Sequence, residues 1–389
     1  MEFDYSHPRT DVRFGRGRRD EAGEAAARHG TEALVVTTRH AMQDTGYLDD
    51  VTGALDDAGV AHGVYAGPRP NPTVEDVVAA VEAAPDADVV VGFGGGSALD
   101  VAKTAAVFLA EDGAPSDDDV WALATGDRGV DAARPVVALP TTSGTGSHVD
   151  PWAVVSRDEA TGKPGFGADA MVPEEAIVDH DPLDAMPAAL AACTGFDALC
   201  HLLEAYVARQ ATPMSDGFAR EGLRLVSDHL EDAVAGDAAA RERMAVADTL
   251  AGICESTSMV IATHALAHAV GAHHPEVAHG EALASVAPSV AAHNVEHGGE
   301  PTKRRYGEIA AIFGEPVADR KLDAALAVDA IEALREELGL PTSLDAVGVG
   351  ADEVEALVAT AREYTPLSID ANPVELSDDD LAAVLENAL

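Results

Sequence analysis

Lysine is nearly missing from this chain of 389 residues: only Lys103, Lys163, Lys303 and Lys321 occur. Arginine supplies most of the 25 basic groups, and these face 68 acidic ones, for a formal net charge of −43. So few cations exclude nucleic acid as a partner, because gripping a phosphate backbone requires clustered basic side chains. Cysteine is scarce too. Cys193, Cys200 and Cys254 are an odd set with no CxxC pair, which argues for free thiols in a reducing compartment. No apolar run reaches the roughly 18 residues of a membrane span, so no membrane partner is expected. Met1 to Pro8 show no basic segment followed by an apolar stretch, so a secretory leader is not expected and a cytoplasmic location is.

The acids are spread along the whole chain rather than gathered in a tail. Such a surface repels itself in dilute buffer and is screened when the Debye length falls to a few ångströms. That pattern suggests a protein from a cell that keeps high salt inside. Apolar residues make up 47% of the chain, which is globular rather than disordered. Its length suits two domains, each with its own core.

The first half alternates strand-like and helix-like pieces. Short apolar runs at Ala33–Thr37, Gly63–Tyr65, Asp88–Phe93 and Pro135–Pro140 alternate with helical periodicity at Tyr47–Ala58 and Thr73–Ala84. This alternation predicts a parallel sheet covered by helices. From about Pro187 the pattern becomes helical throughout. Helices are expected over Pro187–Gln210, Ser215–Ala235, Ala238–Ser256, Thr263–Ala272, Glu281–Asn294, Ala325–Leu338, Ala351–Thr365 and Ser377–Leu389. The expected division is an α/β domain over residues 1–182 and an all-helical domain over 183–389.

Two loops carry chemistry. Gly94-Gly95-Gly96-Ser97 follows a strand and opens a helix, where bare backbone N–H groups bind phosphate well. The spacing is not the GxGxxG fingerprint. Pro140 to Ser147, rich in hydroxyls and glycines, follows the next strand and suits the polar edge of a nucleotide. Farther on, Asp197 and His201 stand four apart on one helix face, and His264 and His268 repeat that spacing. His273, His274 and His279 follow closely. A carboxylate with several imidazoles suits Fe²⁺ or Zn²⁺. Spacing alone does not say which four residues ligate.

Together these segments resemble the iron-containing (group III) alcohol dehydrogenases over almost the full length. Phe14-Gly15-Arg16-Gly17 looks like the family's early FGxG, and Asn71-Pro72-Thr73 like its NPT. Gly94 to Lys103 is similar to GGGSxxDxxK, and Pro140 to Ser147 to PTTxGTGS. Thr194 to His201 resembles TGxDAxxH, with Glu204-Ala205-Tyr206 completing EAY. His264 to His268, His279-Gly280 and Asn372-Pro373 resemble the last metal segment and the NP before the final helix.

The resemblance implies a dehydroquinate synthase-like fold: a Rossmann-like α/β domain, then an all-α domain, with metal and nicotinamide in the cleft between them. It implies Asp197, His201, His264 and His279 as metal ligands, with His268 beside the metal as a catalytic residue for substrate or proton movement. The coenzyme, NAD or NADP, would be held by Gly94, Gly95, Gly96, Ser97, Asp100, Thr141, Thr142, Thr145 and Lys163. The implied reaction is hydride transfer between nicotinamide and a metal-activated alkoxide of a small alcohol, reversing to aldehyde reduction, and a homo-oligomer is expected.

Three departures from the family pattern stand out. His148 replaces the usual Glu after GTGS. The segment from His268 to His279 is one residue longer than usual, so His273 or His274 could replace a ligand. Thr38-Arg39 stands where many members carry an Asp that rejects a 2′-phosphate, which opens the site to NADP(H). Rival readings are a same-fold reductase of the maleylacetate or polyol-phosphate type, and a nucleotide-binding sensor without catalysis.

Overall fold

The structure, a computed structural model, describes residues 5, 9–38, 45–68, 70–111, 113–157, 162–314 and 323–389. Arg39, an expected coenzyme residue, lies outside the described residues. The chain divides into two compact units. One comprises His7–Thr142 and Gly146–Met186; the other is built chiefly from Pro187–Leu389 with the short loop Ser143–Thr145.

The first unit is α/β. Its strands are β1 (Asp11–Phe14), β2 (Glu32–Thr37), β3 (Ala61–Tyr65), β4 (Val89–Gly94), β5 (Val136–Pro140), β6 (Trp152–Val154), β7 (Gly165–Gly167) and β8 (Glu175–Val178). Among the described residues six of them form one parallel sheet in the order β1-β8-β5-β4-β2-β3. Strands β6 and β7 make a small antiparallel ribbon.

The central strands are apolar on both faces because both are covered by helices. Leu34, Val36, Val90 and Val136 pack on one side with Val74–Ala83, Gly96–Leu109 and Asp117–Ala124. Ala33, Val35, Val89, Val91, Val137 and Leu139 pack on the other with Ala22–Ala27 and Tyr47–Asp57. The side-chain period of two sorts neighbours onto opposite faces, and burial of both makes the runs continuous.

From β2 the chain proceeds outward to β3, then crosses back to β4 and moves the other way through β5 and β8. The switch point therefore lies between β2 and β4, beyond their carboxyl ends. Ligands of open α/β sheets bind at such crevices.

The second unit is helical. Helices Ala188–Val207, Pro213–Val234, Ala238–Thr257, Ala262–His273 and His279–His297 surround a core that includes Phe196, Leu202, Tyr206, Leu223, Ile261, Leu266 and Leu283. Helix Ala188–Val207 has the length and apolarity of a membrane span although it contains no unbroken apolar run of that length. Most of it is buried inside the unit, and it carries Asp197, His201 and Glu204, so it is a core helix.

Candidate metal centre and coenzyme cradle

The coenzyme expectation rests on the first unit. Helix Gly96–Leu109 opens on Gly95, with no side-chain cap and no acid in its first turn. Helices Asp117–Ala124 and Asp378–Ala388 each begin with three aspartates. The uncapped N–H groups and the positive end of the helix dipole therefore suit a phosphate.

The glycines are required by close approach. A Cβ on Gly94 would stand 2.7 Å from Ala98 Cβ and 3.3 Å from Thr38 Cγ2. A Cβ on Gly95 would stand 3.2 Å from Thr142 Cγ2. Thr38 at the end of β2, Gly94–Ser97 after β4 and Thr141–Thr142 after β5 thus meet around the switch point. The Thr141 amide donates to Gly94 O at 3.0 Å, which joins the second and third of these loops. A dinucleotide's pyrophosphate and polar edge fit this cradle.

Other expected coenzyme residues have internal partners. Asp100 accepts from Ser147 Oγ at 2.9 Å and the Val154 amide at 3.1 Å, and burial pushes its carboxyl up to about 6. Lys163 Nζ donates to Asn71 Oδ1 at 2.6 Å. Asn71 has φ 60°, the one non-glycine left-handed residue among those described. Thr145 is half-buried and belongs to the loop of the second unit.

The His148 departure also finds a place. Lys103 is fully buried, donates to Asp150 Oδ1 at 2.8 Å and also to Trp152 O. His148 lies buried nearby, and desolvation followed by the Lys103 charge takes its pKa down to about 3. It is therefore a neutral imidazole.

The metal expectation rests on the second unit. Asp197, His201 and His264, all buried, offer ligand atoms within 4.8 Å of one another. Helix Ala188–Val207 supplies the first two on one face, and helix Ala262–His273 supplies the third. His264 Nε2 lies 3.4 Å and His279 Nε2 3.6 Å from Asp197 Oδ1. Donors about 2.0–2.2 Å from a tetrahedral ion are roughly 3.3–3.6 Å apart, so these spacings fit one shared cation. They are long for hydrogen bonds.

Burial makes the same point. Asp197 Oδ1 and His264 Nε2 are buried without a hydrogen-bond partner. An orphaned carboxylate oxygen beside an orphaned ring nitrogen is costly, and a divalent cation satisfies both.

His279 opens helix His279–His297 and reaches Asp197 because Gly280 follows it. A Cβ on Gly280 would stand 2.2 Å from Cys193 O, so glycine lets this helix end press on helix Ala188–Val207. Cys193 itself is a poor ligand. Burial, then the nearby Glu281 and Asp197, push its thiol up to about 11, so it stays protonated.

His268 sits beside the cluster: its ring centroid is 5.2 Å from His279 and 6.3 Å from His264. His273 and His274 turn elsewhere. His273 Nε2 meets Thr360 Oγ1 at 2.9 Å, and His274 Nε2 meets Glu353 Oε2 at 2.9 Å.

One residue of the centre escaped sequence reasoning. Glu204 is fully buried, and its Oε1 lies 2.7 Å from His264 Nδ1 while Oε2 accepts from the Ile261 amide at 2.6 Å. Desolvation alone would lower the His264 pKa. Glu204 and Asp197 more than offset it and take the pKa up to about 10. A signal existed: Glu204 lies seven residues after Asp197 and three after His201 on the same helix.

Comparison with known proteins agrees in outline. The family model described as iron-containing alcohol dehydrogenase matches residues 9–180, and that of the family's C-terminal domain matches 191–389. The chain is 31% identical over 380 residues to the lactaldehyde reductase of Escherichia coli K12, covering 96% of this chain and 97% of that one. It is 31% identical over 383 residues to the NAD-dependent methanol dehydrogenase of Bacillus methanolicus, covering 97% of each. The crystal structure of an archaeal halo-thermophilic alcohol dehydrogenase from a Red Sea brine pool superposes with a TM-score of 0.94. It is 36% identical, and the match covers 100% of this chain and 99% of that one.

Proposed function

The chain belongs to the iron-containing alcohol dehydrogenase family, and on that premise we propose that it interconverts small alcohols and aldehydes with NAD or NADP, using one divalent metal. The observation that carries the proposal is the convergence of Asp197, His201 and His264, with Asp197 Oδ1 and His264 Nε2 buried and unpartnered. His279 completes the donor set.

The metal, Fe²⁺ or Zn²⁺, would serve as a Lewis acid toward the alcohol or carbonyl oxygen. The remaining work falls to the chain. Asp197 contributes the negative charge that retains the cation. Glu204 fixes His264 so that Nε2 faces the ion, the usual way an outer carboxylate orients a metal-binding imidazole. His268, beside the donors, is suited to carry the proton that an alcohol gives up. Gly94–Ser97 would hold the coenzyme pyrophosphate, with Thr141 and Thr142 alongside. Thr38 stands where a carboxylate would repel a 2′-phosphate, which favours NADP(H).

The buried Asp197 Oδ1 and His264 Nε2, without hydrogen-bond partners, argue against a metal-free reductase of the maleylacetate type, and the scarcity of cations against a phosphate-bearing substrate. The lactaldehyde and methanol relatives support small, uncharged substrates. A net charge of −43, with the halo-thermophilic relative, supports work at high salt, and three free cysteines support a reducing cytoplasm.

The test is a dehydrogenase screen in molar KCl, crossing NAD and NADP with alcohols and aldehydes, with and without added Fe²⁺ or Zn²⁺. Metal-dependent turnover is expected. Nicotinamide binding without turnover on any substrate would favour the non-catalytic sensor.

A further inference from the structure

Asp100 and Lys103 stand three apart on helix Gly96–Leu109, just past the turn that opens on the glycines, so they share a face. Both reach the segment that follows the second coenzyme loop. Asp100 accepts from Ser147 Oγ at 2.9 Å and from the Val154 amide at 3.1 Å. Lys103 donates to Asp150 Oδ1 at 2.8 Å, to Asp150 O at 3.3 Å and to Trp152 O. These acceptors occupy the three N–H groups of the ammonium. Asp150 Oδ1 also accepts from the Trp152 amide at 2.7 Å, so one carboxyl oxygen fixes both the lysine and the turn.

Asp150 and Lys103 are both buried, and among the described residues Lys103 pairs with no other carboxylate. A buried ammonium deprived of its counter-ion is costly and draws in another acid. Asp100 is at hand on the same helix face. Burial raises its carboxyl and the Lys103 charge already works against that rise. A turn of Lys103 toward Asp100 would take that carboxylate from Ser147, the last residue of the loop beside the coenzyme. The place of the counter-ion is this chain's own. Where the family pattern puts Glu, His148 is a buried neutral imidazole within range of the same lysine. The acid stands two residues on.

Resting on the coenzyme reading above, we infer that Asp150 is a positioning residue of the coenzyme site. In place of an acid at 148, it supplies the one counter-charge that keeps Lys103 off Asp100 and Asp100 on Ser147.

The experiment compares full-length wild type, supplied with Fe²⁺ in molar KCl, with Asp150→Asn, His148→Glu and the double variant. NADPH and NADH dissociation constants are measured by fluorescence, and KM and kcat with a small aldehyde. Asparagine keeps the acceptor oxygen and removes only the charge. Asp150→Asn should raise the coenzyme KM and Kd about tenfold and leave kcat within about twofold. His148→Glu crowds a third buried acid around one lysine and should lower Tm by about 5 °C. The double variant returns the charge to position 148, so it should recover the coenzyme KM to within about threefold of wild type.

An unchanged coenzyme KM in Asp150→Asn overturns the inference, and so does an equal loss in kcat. A double variant no better than Asp150→Asn overturns it too. If Asp150→Asn does not fold, the double variant decides: folding with a near-wild-type KM supports the inference, and failure to fold overturns it. Each of these results leaves wild-type coenzyme binding standing. Wild type that binds neither NADPH nor NADH overturns the coenzyme reading as well.

Discussion

Glu204 Oε1 and His264 Nδ1 lie 2.7 Å apart, both fully enclosed, and this pair decides which edge of the imidazole faces Asp197. With Nδ1 engaged by a carboxylate, Nε2 is the nitrogen left for a cation. Glu204→Gln should therefore weaken divalent metal binding about 10–100-fold. It should also cost about 1–3 kcal/mol of stability, because a buried charge-assisted bond is lost. Chelator competition and denaturant unfolding check the two effects separately.

The coenzyme cradle makes a different demand. Gly95→Ala puts a methyl group 3.2 Å from Thr142 Cγ2, so the two loops must part by a few tenths of an ångström. The KM for NAD(P)H should rise about tenfold, near 1.4 kcal/mol, while metal affinity stays at the wild-type value. Steady-state kinetics with metal content measured on the same samples distinguishes this from general damage.

His148 makes stability depend on pH. Its folded pKa is about 3, against about 6.5 when unfolded. Below about 6.5 the unfolded chain takes up a proton that the folded chain refuses, so stability is full above that value and falls as pH drops toward 3. At pH 4.5 the loss from this one group is about 3 kcal/mol. His148→Gln should remove it, so the variant loses less stability than wild type between pH 7 and 4.5. Urea unfolding at the two pH values gives the comparison.

Salt provides a fourth check. With a net charge of −43, screening should dominate the stability of the whole chain. Tm should rise steadily from low to molar KCl. A Tm that stays flat over that range contradicts the halophilic reading.

Much of the site was legible because its ligands repeat at helical spacing. Asp197 and His201 share a face at four residues apart, and the structure brings them together. The same spacing is only half informative for His264 and His268, since the second lies beside the cluster rather than in it. The run His273-His274 illustrates the limit. The helix ends there, and each ring turns to a partner from the C-terminal helices, Thr360 and Glu353, which spacing does not reveal.

Glu204 was read only as part of EAY, although its place three residues after His201 on the same helix marked it as a partner of the metal residues. In the fold, the strands Asp11–Phe14 and Glu175–Val178 escaped notice because each has four residues and polar members. Helix Glu300–Ile312 escaped because the first nine of its 13 residues, EPTKRRYGE, are mostly polar and show no apolar stripe. The long apolar strands and the alanine-rich helices were readable because burial on both faces or on a wide stripe leaves a periodic trace.

The most direct test of the account is a titration of Fe²⁺ into metal-stripped protein, followed by NAD(P)H oxidation with a small aldehyde in molar KCl. Activity should climb linearly and level off at one ion per chain, and Asp197→Asn should show neither tight binding nor turnover. Full activity without any metal, or an unaltered titration in Asp197→Asn, would contradict it.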